Sequence, residues 1–196
     1  ELAYDPFGKQ LLMMVYAGSS TWRNAGAGWS QIDTTATPAA IESAAHAYDP
    51  VRGRLVMFGG SGGSDATWEF DGSSWHLIAT PVRPSPRDWA AMAYDPVRER
   101  MVMFGSYQQN DTTTWEYDGA TWTQNATATR PPPRNQAAMT FDGTRILMVG
   151  GWGGFVPYGL RADTWAYDGV DWTDVTPGGA QPAVFGGGLT YDAGRD

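Results

Sequence analysis

The sequence predicts an all-β fold built from tandem four-stranded units, and three observations lead to it. Eight of the ten tryptophans form four pairs, and the two members of each pair lie seven residues apart. An aromatic residue followed by Asp recurs with nearly the same period, and Gly and Pro interrupt the chain every 8 to 12 residues. No window keeps a helical period, so short strands separated by turns are expected throughout. The pairs are Trp22 and Trp29, Trp68 and Trp75, Trp115 and Trp122, and Trp165 and Trp172, at intervals of 46, 47 and 50 residues.

Each unit divides into four β-type runs, as the second unit illustrates. Its first run ends at Tyr48-Asp49, its second spans Leu55–Gly60, its third is Thr67–Phe70 and its fourth begins at Trp75. We therefore divide the single region 1–196 into units at about 1–43, 44–89, 90–136 and 137–187, with a partial unit at 188–196.

The repeat contains one strand more than four units need. Residues 188–193 match the first run again, so the chain holds five copies of that run and four of each other run. A piece of a longer propeller-like chain, a half-ring that pairs with another copy, and a strand donated to a neighbour would each explain the extra strand. The first of these explanations is favoured.

The Asp-Gly steps between the paired tryptophans predict hairpins. They are Asp71-Gly72, Asp118-Gly119 and Asp168-Gly169. Asp-Gly favours two-residue type I′ loops, in which both positions need a positive φ. Such a loop would place Trp68 directly across from Trp75, where cross-strand aromatic pairs stabilise a sheet. The paired tryptophans are therefore predicted to be structural.

Several motifs resemble the bacterial branch of the kelch repeats. These are Phe58-Gly59-Gly60 and Val149-Gly150-Gly151 after the second strand, the Trp pattern, and Pro86-Arg87 and Pro133-Arg134 before the first strand. The resemblance covers the whole chain, although Val15-Tyr16 replaces the diglycine in the first unit. It implies a kelch-type β-propeller with four four-stranded blades plus the first strand of a fifth, as an open arc or part of a larger ring. It leaves activity open, because kelch propellers include both binding modules and enzymes.

Composition excludes several functional classes. The net charge of −8 argues against a nucleic-acid partner, and the longest apolar run, Leu11–Ala17, is shorter than the ~20 residues of a membrane span. The absence of Cys excludes thiolate metal sites and the Tyr-Cys crosslink of galactose-oxidase-type enzymes. We expect no cofactor and no metal. The acidic, Cys-free composition favours a secreted or cell-surface protein of a bacterium.

Candidate binding residues lie in the loops that differ between units. In a propeller, the loops from strand two to strand three and from strand four to the next strand one share one face, and variable loops on a rigid scaffold are favoured binding surfaces. Aromatic rings there would suit sugar rings or an extended peptide, and arginines would suit carboxylates. Alternatively, the aromatic residues fold down over the ring and the two repeated arginines, Arg87 and Arg134, are part of the scaffold. The candidates are Trp89, Arg87, Arg134, Tyr107, Gln109, Trp152, Phe155, Tyr158 and Arg161.

Catalytic groups are scarce in the sequence. His46 occupies the repeat position of Leu2, Met92, Met139 and Leu189, which predicts an inner-strand core residue, and His76 takes an outward polar position. Arg52 and Arg98 lie in the opposite turns, where simple solvation is expected. No catalytic residue is assigned, and whether the chain is an enzyme stays open.

The sequence therefore predicts a non-catalytic binding or structural module that presents variable loops for protein or glycan interaction. The kelch portion of a carbohydrate-active enzyme is the alternative. A further alternative is a subunit of a self-assembling extracellular structure, and additional blades or a homo-oligomer would fit the extra strand.

Overall fold

A computed structural model describes residues 2–15, 19–39, 42–107, 111–153 and 159–190. These residues form strands, turns and loops and no helix, which confirms the all-β prediction. Sixteen strands form four four-stranded antiparallel sheets, which we call blades 1 to 4. Blade 1 consists of β1 (Leu2–Asp5), β2 (Gln10–Val15), β3 (Ser20–Asn24) and β4 (Trp29–Ile32), and blade 2 of β5 (Ala45–Asp49), β6 (Arg54–Phe58), β7 (Thr67–Phe70) and β8 (Trp75–Ile78). Blade 3 consists of β9 (Ala91–Asp95), β10 (Arg100–Phe104), β11 (Thr114–Tyr117) and β12 (Trp122–Asn125), and blade 4 of β13 (Ala138–Phe141), β14 (Ile146–Val149), β17 (Thr164–Tyr167) and β18 (Trp172–Asp174).

Each blade is a simple antiparallel meander, because its strands pair in chain order. A small hairpin, β15 (Trp152–Gly153) with β16 (Gly159–Leu160), lies between β14 and β17. The first strands of successive blades contact one another, β1 with β5, β5 with β9 and β9 with β13. This arrangement is consistent with a blade-based β-propeller, but the described strands form no closed ring. Residues 188–190 lie in no strand, and the rest of the predicted fifth strand lies outside the described residues.

The hydrophobic core lies between the blades. Three clusters of buried side chains occupy the three boundaries between successive blades. At the boundary of blades 2 and 3, Trp122 packs against Phe58 of blade 2 and Tyr117 of its own blade, with ring centroids 5.0 Å apart in both cases. Phe104, Tyr167 and Trp172 repeat this contact one blade further on. Each boundary therefore depends on the second tryptophan of the later blade.

A hydrogen bond accompanies each of these tryptophans, and we call it the Trp–Thr latch. The indole Nε1 of Trp122 donates to Oγ1 of Thr67 at 2.9 Å. Because the Thr belongs to the preceding blade, the latch ties successive blades together as well as satisfying a buried N–H. The other latches join Trp75 to Thr21 and Trp172 to Thr114, both at 2.8 Å.

The predicted register of the Asp-Gly hairpins is wrong. Phe70 lies across from Trp75, and Trp68 lies across from Leu77, so the loop has four residues and not two. The Asp71 carboxylate explains the difference, because its Oδ1 accepts the backbone N–H of Ser73 and Ser74 at 2.8 and 2.9 Å and closes a wider turn. Only the glycine has a positive φ. Asp118 and Asp168 close the other two loops in the same way.

The glycines after the second strands allow a close backbone approach. Gly59 and Gly105 have φ values of 75° and 84°, and a Cβ on either would overlap the backbone carbonyl of Arg87 or Arg134. Those carbonyls instead accept the N–H of the next residue in the loop, as in the 3.0 Å bond from Gly60 to Arg87. The glycine motif therefore fixes the loop before each first strand onto the end of the neighbouring second strand.

The sequence predicts that Arg52 and Arg98 in the opposite turns are simply solvated, but in the structure both form ion pairs. Arg52 contacts Asp49 at 2.7 Å and the buried Glu69 at 2.6 Å. Glu69 also accepts a hydrogen bond from Tyr117 of the next blade at 3.0 Å. Arg98 pairs with the buried Asp95 in the corresponding turn. These groups link the turn to the blade boundary because a buried carboxylate needs compensating donors.

Candidate functional site

Four residues with the same backbone conformation surround one end of the space enclosed by the inner strands, and we call them the mouth. They are Ser43, Trp89, Gln136 and Gly186, with φ values of 60°, 56°, 53° and 63°. Positive φ is uncommon for residues other than glycine. Ser43, Trp89 and Gln136 lie two residues before the inner strands β5, β9 and β13, and Gly186 lies two residues before the partial fifth unit. The repeat therefore places a left-handed backbone position at the same site in each unit, and this position is strained in the three units where it is not glycine.

Backbone hydrogen bonds join these residues in series. The N–H of Trp89 donates to the carbonyl of Ser43 at 2.7 Å, that of Gln136 to Trp89 at 2.8 Å, and that of Gly186 to Gln136 at 2.9 Å. Each bond crosses from one unit to the next. The unusual φ values are thus fixed by contacts between blades, and the side chains at the mouth project from a rigid frame.

A cavity of about 460 Å³ opens behind the mouth. It is lined by the mouth residues, by the three residues that follow each of them, and by Leu2. The first two of these following residues are always Ala or Gly, so this part of the wall carries only small side chains. The third is His46, Met92, Met139 or Leu189. A second cavity of about 420 Å³ continues past these side chains towards Tyr4, Tyr48 and Tyr94.

His46 lies where the repeat predicts, in line with Leu2, Met92 and Met139, but it is only partly buried. Its Nε2 lies 3.4 Å from the carbonyl oxygen of Leu2 in blade 1. His76, by contrast, is exposed and contacts Asp71 at 2.8 Å. The two histidines therefore lie in separate parts of blade 2 and do not contact the same groups.

A second tier of variable side chains surrounds the mouth. Tyr107 and Trp152 occupy the same repeat position, because the backbone N–H of each donates to the carbonyl of the residue just before a mouth residue. Tyr107 donates to Asp88 at 2.9 Å, and Trp152 donates to Asn135 at 2.8 Å. In blade 2 this position is Ser61, bonded to Glu42. The Trp152 ring lies 6.4 Å from that of Phe185. Among the described residues, the aromatic side chains of this tier therefore lie on the side of blades 3 and 4.

Arg87 and Arg134 lie beneath this surface, 1% and 2% exposed. Arg87 pairs with Asp111 at 2.8 Å, and Arg134 forms a bidentate pair with Asp163, with both distances 2.7 Å. Burial alone would raise the pKa of Asp163, but hydrogen bonds from Arg134 and Trp165 lower it below its usual value. Burial lowers the pKa of Arg87, and Asp111 offsets part of that effect. An anionic ligand would have to displace a protein carboxylate from either arginine.

The predicted binding residues therefore separate into groups. Trp89, Tyr107 and Trp152 are at or around the mouth and partly or largely exposed, at 36%, 54% and 36%. Arg161 is partly buried, with its guanidinium close to Gly153 in the β15–β16 hairpin. Gln109, Phe155 and Tyr158 lie outside the described residues.

Sequence reasoning missed three members of this surface. Ser43 and Gln136 share the backbone position of Trp89, and Phe185 contacts Trp152. The signal available for Ser43 and Gln136 was their position, just before the run of small residues that leads into each inner strand. This position recurs in every unit, but the residue type at it changes. Phe185 stands at the repeat position of Glu42, Asp88 and Asn135, so an aromatic residue in place of a polar one was the available signal there.

In the described parts of the chain, no three His, Asp or Glu side chains converge as metal ligands would. Those same parts contain no helix of the length and apolarity that crossing a bilayer requires. No protein-family model matches the chain, and no curated protein matches it significantly.

Proposed function

We propose that this chain is a kelch-type β-propeller module that binds a glycan or a protein segment at the mouth without catalysing a reaction. The observation that carries the proposal is Trp89, a partly exposed indole beside a 460 Å³ cavity, on a backbone fixed by hydrogen bonds to two neighbouring units. The acidic, Cys-free composition further supports a secreted or cell-surface location.

The geometry suits binding because the surface is formed before any ligand arrives. Indole and phenol rings provide a large apolar contact area together with a polar atom, as sugar rings and extended peptides require. Fixing the backbone in advance lowers the ordering cost of association. A cavity of this size also lies within the ~300–1,000 Å³ range of typical ligand sites.

The acidic groups near the mouth support binding more than catalysis. Asp111 and Asp163 accept hydrogen bonds from buried arginines, and Asp163 also accepts from Trp165 at 2.8 Å. The pKa of Asp163 lies below its usual value, which makes this carboxyl a poor general acid at neutral pH. These two side chains therefore serve to position the loops around the mouth.

The experiment is a screen of the protein against a glycan array and a displayed peptide library, followed by titration of any hit. Trp89→Ala should weaken binding of the hit about tenfold or more, as expected for a central aromatic contact. The matched control is Val170→Ala, which removes an exposed apolar side chain from a strand-three to strand-four loop on the opposite face. Absence of any ligand, or equal weakening by both variants, would contradict the proposal.

A further inference from the structure

At each of the three blade boundaries two different faces meet, always in the same order along the chain. The earlier blade contributes a face that carries the latch Thr, and the later blade contributes a face that carries the second Trp. Blades 2 and 3 use both faces. Blade 1 uses only its Thr face and blade 4 only its Trp face, so the Trp face of blade 1 and the Thr face of blade 4 remain uncovered in the described structure.

The exposure of equivalent residues shows that both faces are open. Trp29 of blade 1 is 41% exposed, whereas Trp75, Trp122 and Trp172 are 1–2% exposed. On blade 4, Thr164 is partly exposed, whereas its equivalents Thr21, Thr67 and Thr114 are at most 1% exposed.

The open Trp face is also apolar. Besides Trp29 it includes Leu2, Tyr4 and Leu11, which are 55%, 55% and 37% exposed. Apolar patches of this kind on a soluble protein commonly mark an interaction surface. On blade 4, Leu147 and Val149 are partly exposed at the positions where Val56 and Phe58 are fully buried.

A second inter-blade contact supports the same pairing of faces. The hydroxyl of Tyr48 in blade 2 donates to Oδ1 of Asp5 in blade 1 at 2.6 Å. The equivalent residues at the two open faces are Tyr4 on blade 1 and Asp142 on blade 4. Each open face therefore carries the matching half of two hydrogen bonds, with the donors on blade 1 and the acceptors on blade 4.

We propose that the Trp face of blade 1 docks on the Thr face of blade 4 in a second copy of this chain. Trp29 of one copy then donates to Thr164 of the other, and Tyr4 donates to Asp142. The argument is continuity with an interface that the chain already builds three times. The docking blade's β1 takes the place of residues 187–189, which line the cavity beside blade 4 but belong to no sheet.

The contact is heterologous, because two different faces of the same chain meet. Repetition of a heterologous contact gives a closed ring where the rotation between copies closes, and a linear chain where it does not. In both cases the mass rises with protein concentration and each copy uses two faces.

The experiment measures the mass of the 196-residue protein by sedimentation from micromolar to near-millimolar concentration, without ligand. The wild-type protein should associate. Trp29→Ala should raise the dissociation constant about 30-fold or more, since loss of a central interface Trp commonly has that effect. Thr164→Lys should do the same by placing a charge in the opposite face. Leu77→Ala is the control, because it removes an exposed side chain from the outer strand of blade 2.

Mixing the two variants gives the decisive result. Trp29→Ala keeps an intact Thr face and Thr164→Lys keeps an intact Trp face, so the mixture should form one discrete dimer although each variant alone is monomeric. Dimer formation also shows that both variants are folded. A mixture that stays monomeric, or a wild-type protein that is monomeric at every concentration, would overturn the proposal.

Discussion

Replacement of Thr67 by Val tests the Trp–Thr latch with almost no change of side-chain volume. Oγ1 of Thr67 accepts the indole N–H of Trp122 at 2.9 Å, and both residues are 1% exposed. Val cannot accept this bond, and water cannot reach the N–H that is left. An unpaired buried donor costs about 1–3 kcal/mol, so the free energy of unfolding should fall by that amount.

The assay is urea unfolding of the wild type, Thr67→Val, Trp122→Phe and the double variant. Once Phe has removed the N–H, Val should destabilise much less, so the double-mutant cycle should give a coupling free energy of about 1 kcal/mol or more. Thr123→Val, at an exposed position of β12, is the matched control and should change stability by less than about 0.5 kcal/mol. Additive effects, or equal losses at Thr67 and Thr123, would refute the latch.

Three further substitutions test the turns and the loop ion pair. Gly119→Val should lower the unfolding free energy in urea by about 1–3 kcal/mol, because φ is 94° and the new side chain would crowd a guanidinium group only 2.6 Å from its Cβ. An unchanged value would show that this turn assignment is wrong. Gly105→Ala should destabilise more than Gly62→Ala in the same assay, since the φ values are 84° and 80° but only the first Cβ overlaps a backbone carbonyl; equal losses would exclude the overlap as the cause. Asp163→Asn should destabilise by about 3 kcal/mol at neutral pH because it leaves the buried Arg134 without its counter-charge. The folded-state pKa of Asp163 is lowered, so its contribution is complete above pH ~4 and is lost as the pH falls through that lower pKa. Unfolding curves from pH 7 to acid should therefore converge for variant and wild type, and parallel curves would contradict this.

The strands were largely predictable from the sequence, but the register of the hairpins was not. Thr67–Phe70 and the start of the next strand at Trp75 agree with the prediction, because aromatic and β-branched residues alternate between clear turn signals. An Asp-Gly step is compatible with both a two-residue and a four-residue loop, so the sequence alone does not determine the loop length. What separates them is whether the Asp71 carboxylate binds the backbone N–H groups that follow.

The candidate site was predictable only where a residue departs from the repeat. Trp89 stood out because no other unit has Trp at that position, and it does lie at the mouth. Ser43 and Gln136 did not stand out, since their role depends on a left-handed backbone and on hydrogen bonds between residues more than 40 positions apart. Likewise, the sequence shows Arg134 and Asp163 but not that they face each other across a loop.

Hydrogen exchange of the tryptophan indole groups tests the central claim, that the second tryptophans of blades 2, 3 and 4 fasten each blade to the one before it. In dilute protein, the three latch indoles, of Trp75, Trp122 and Trp172, should exchange far more slowly than those of Trp29 and Trp89. Buried, bonded N–H groups exchange only when the structure opens. Latch indoles that exchange as fast as that of Trp29 would contradict the account.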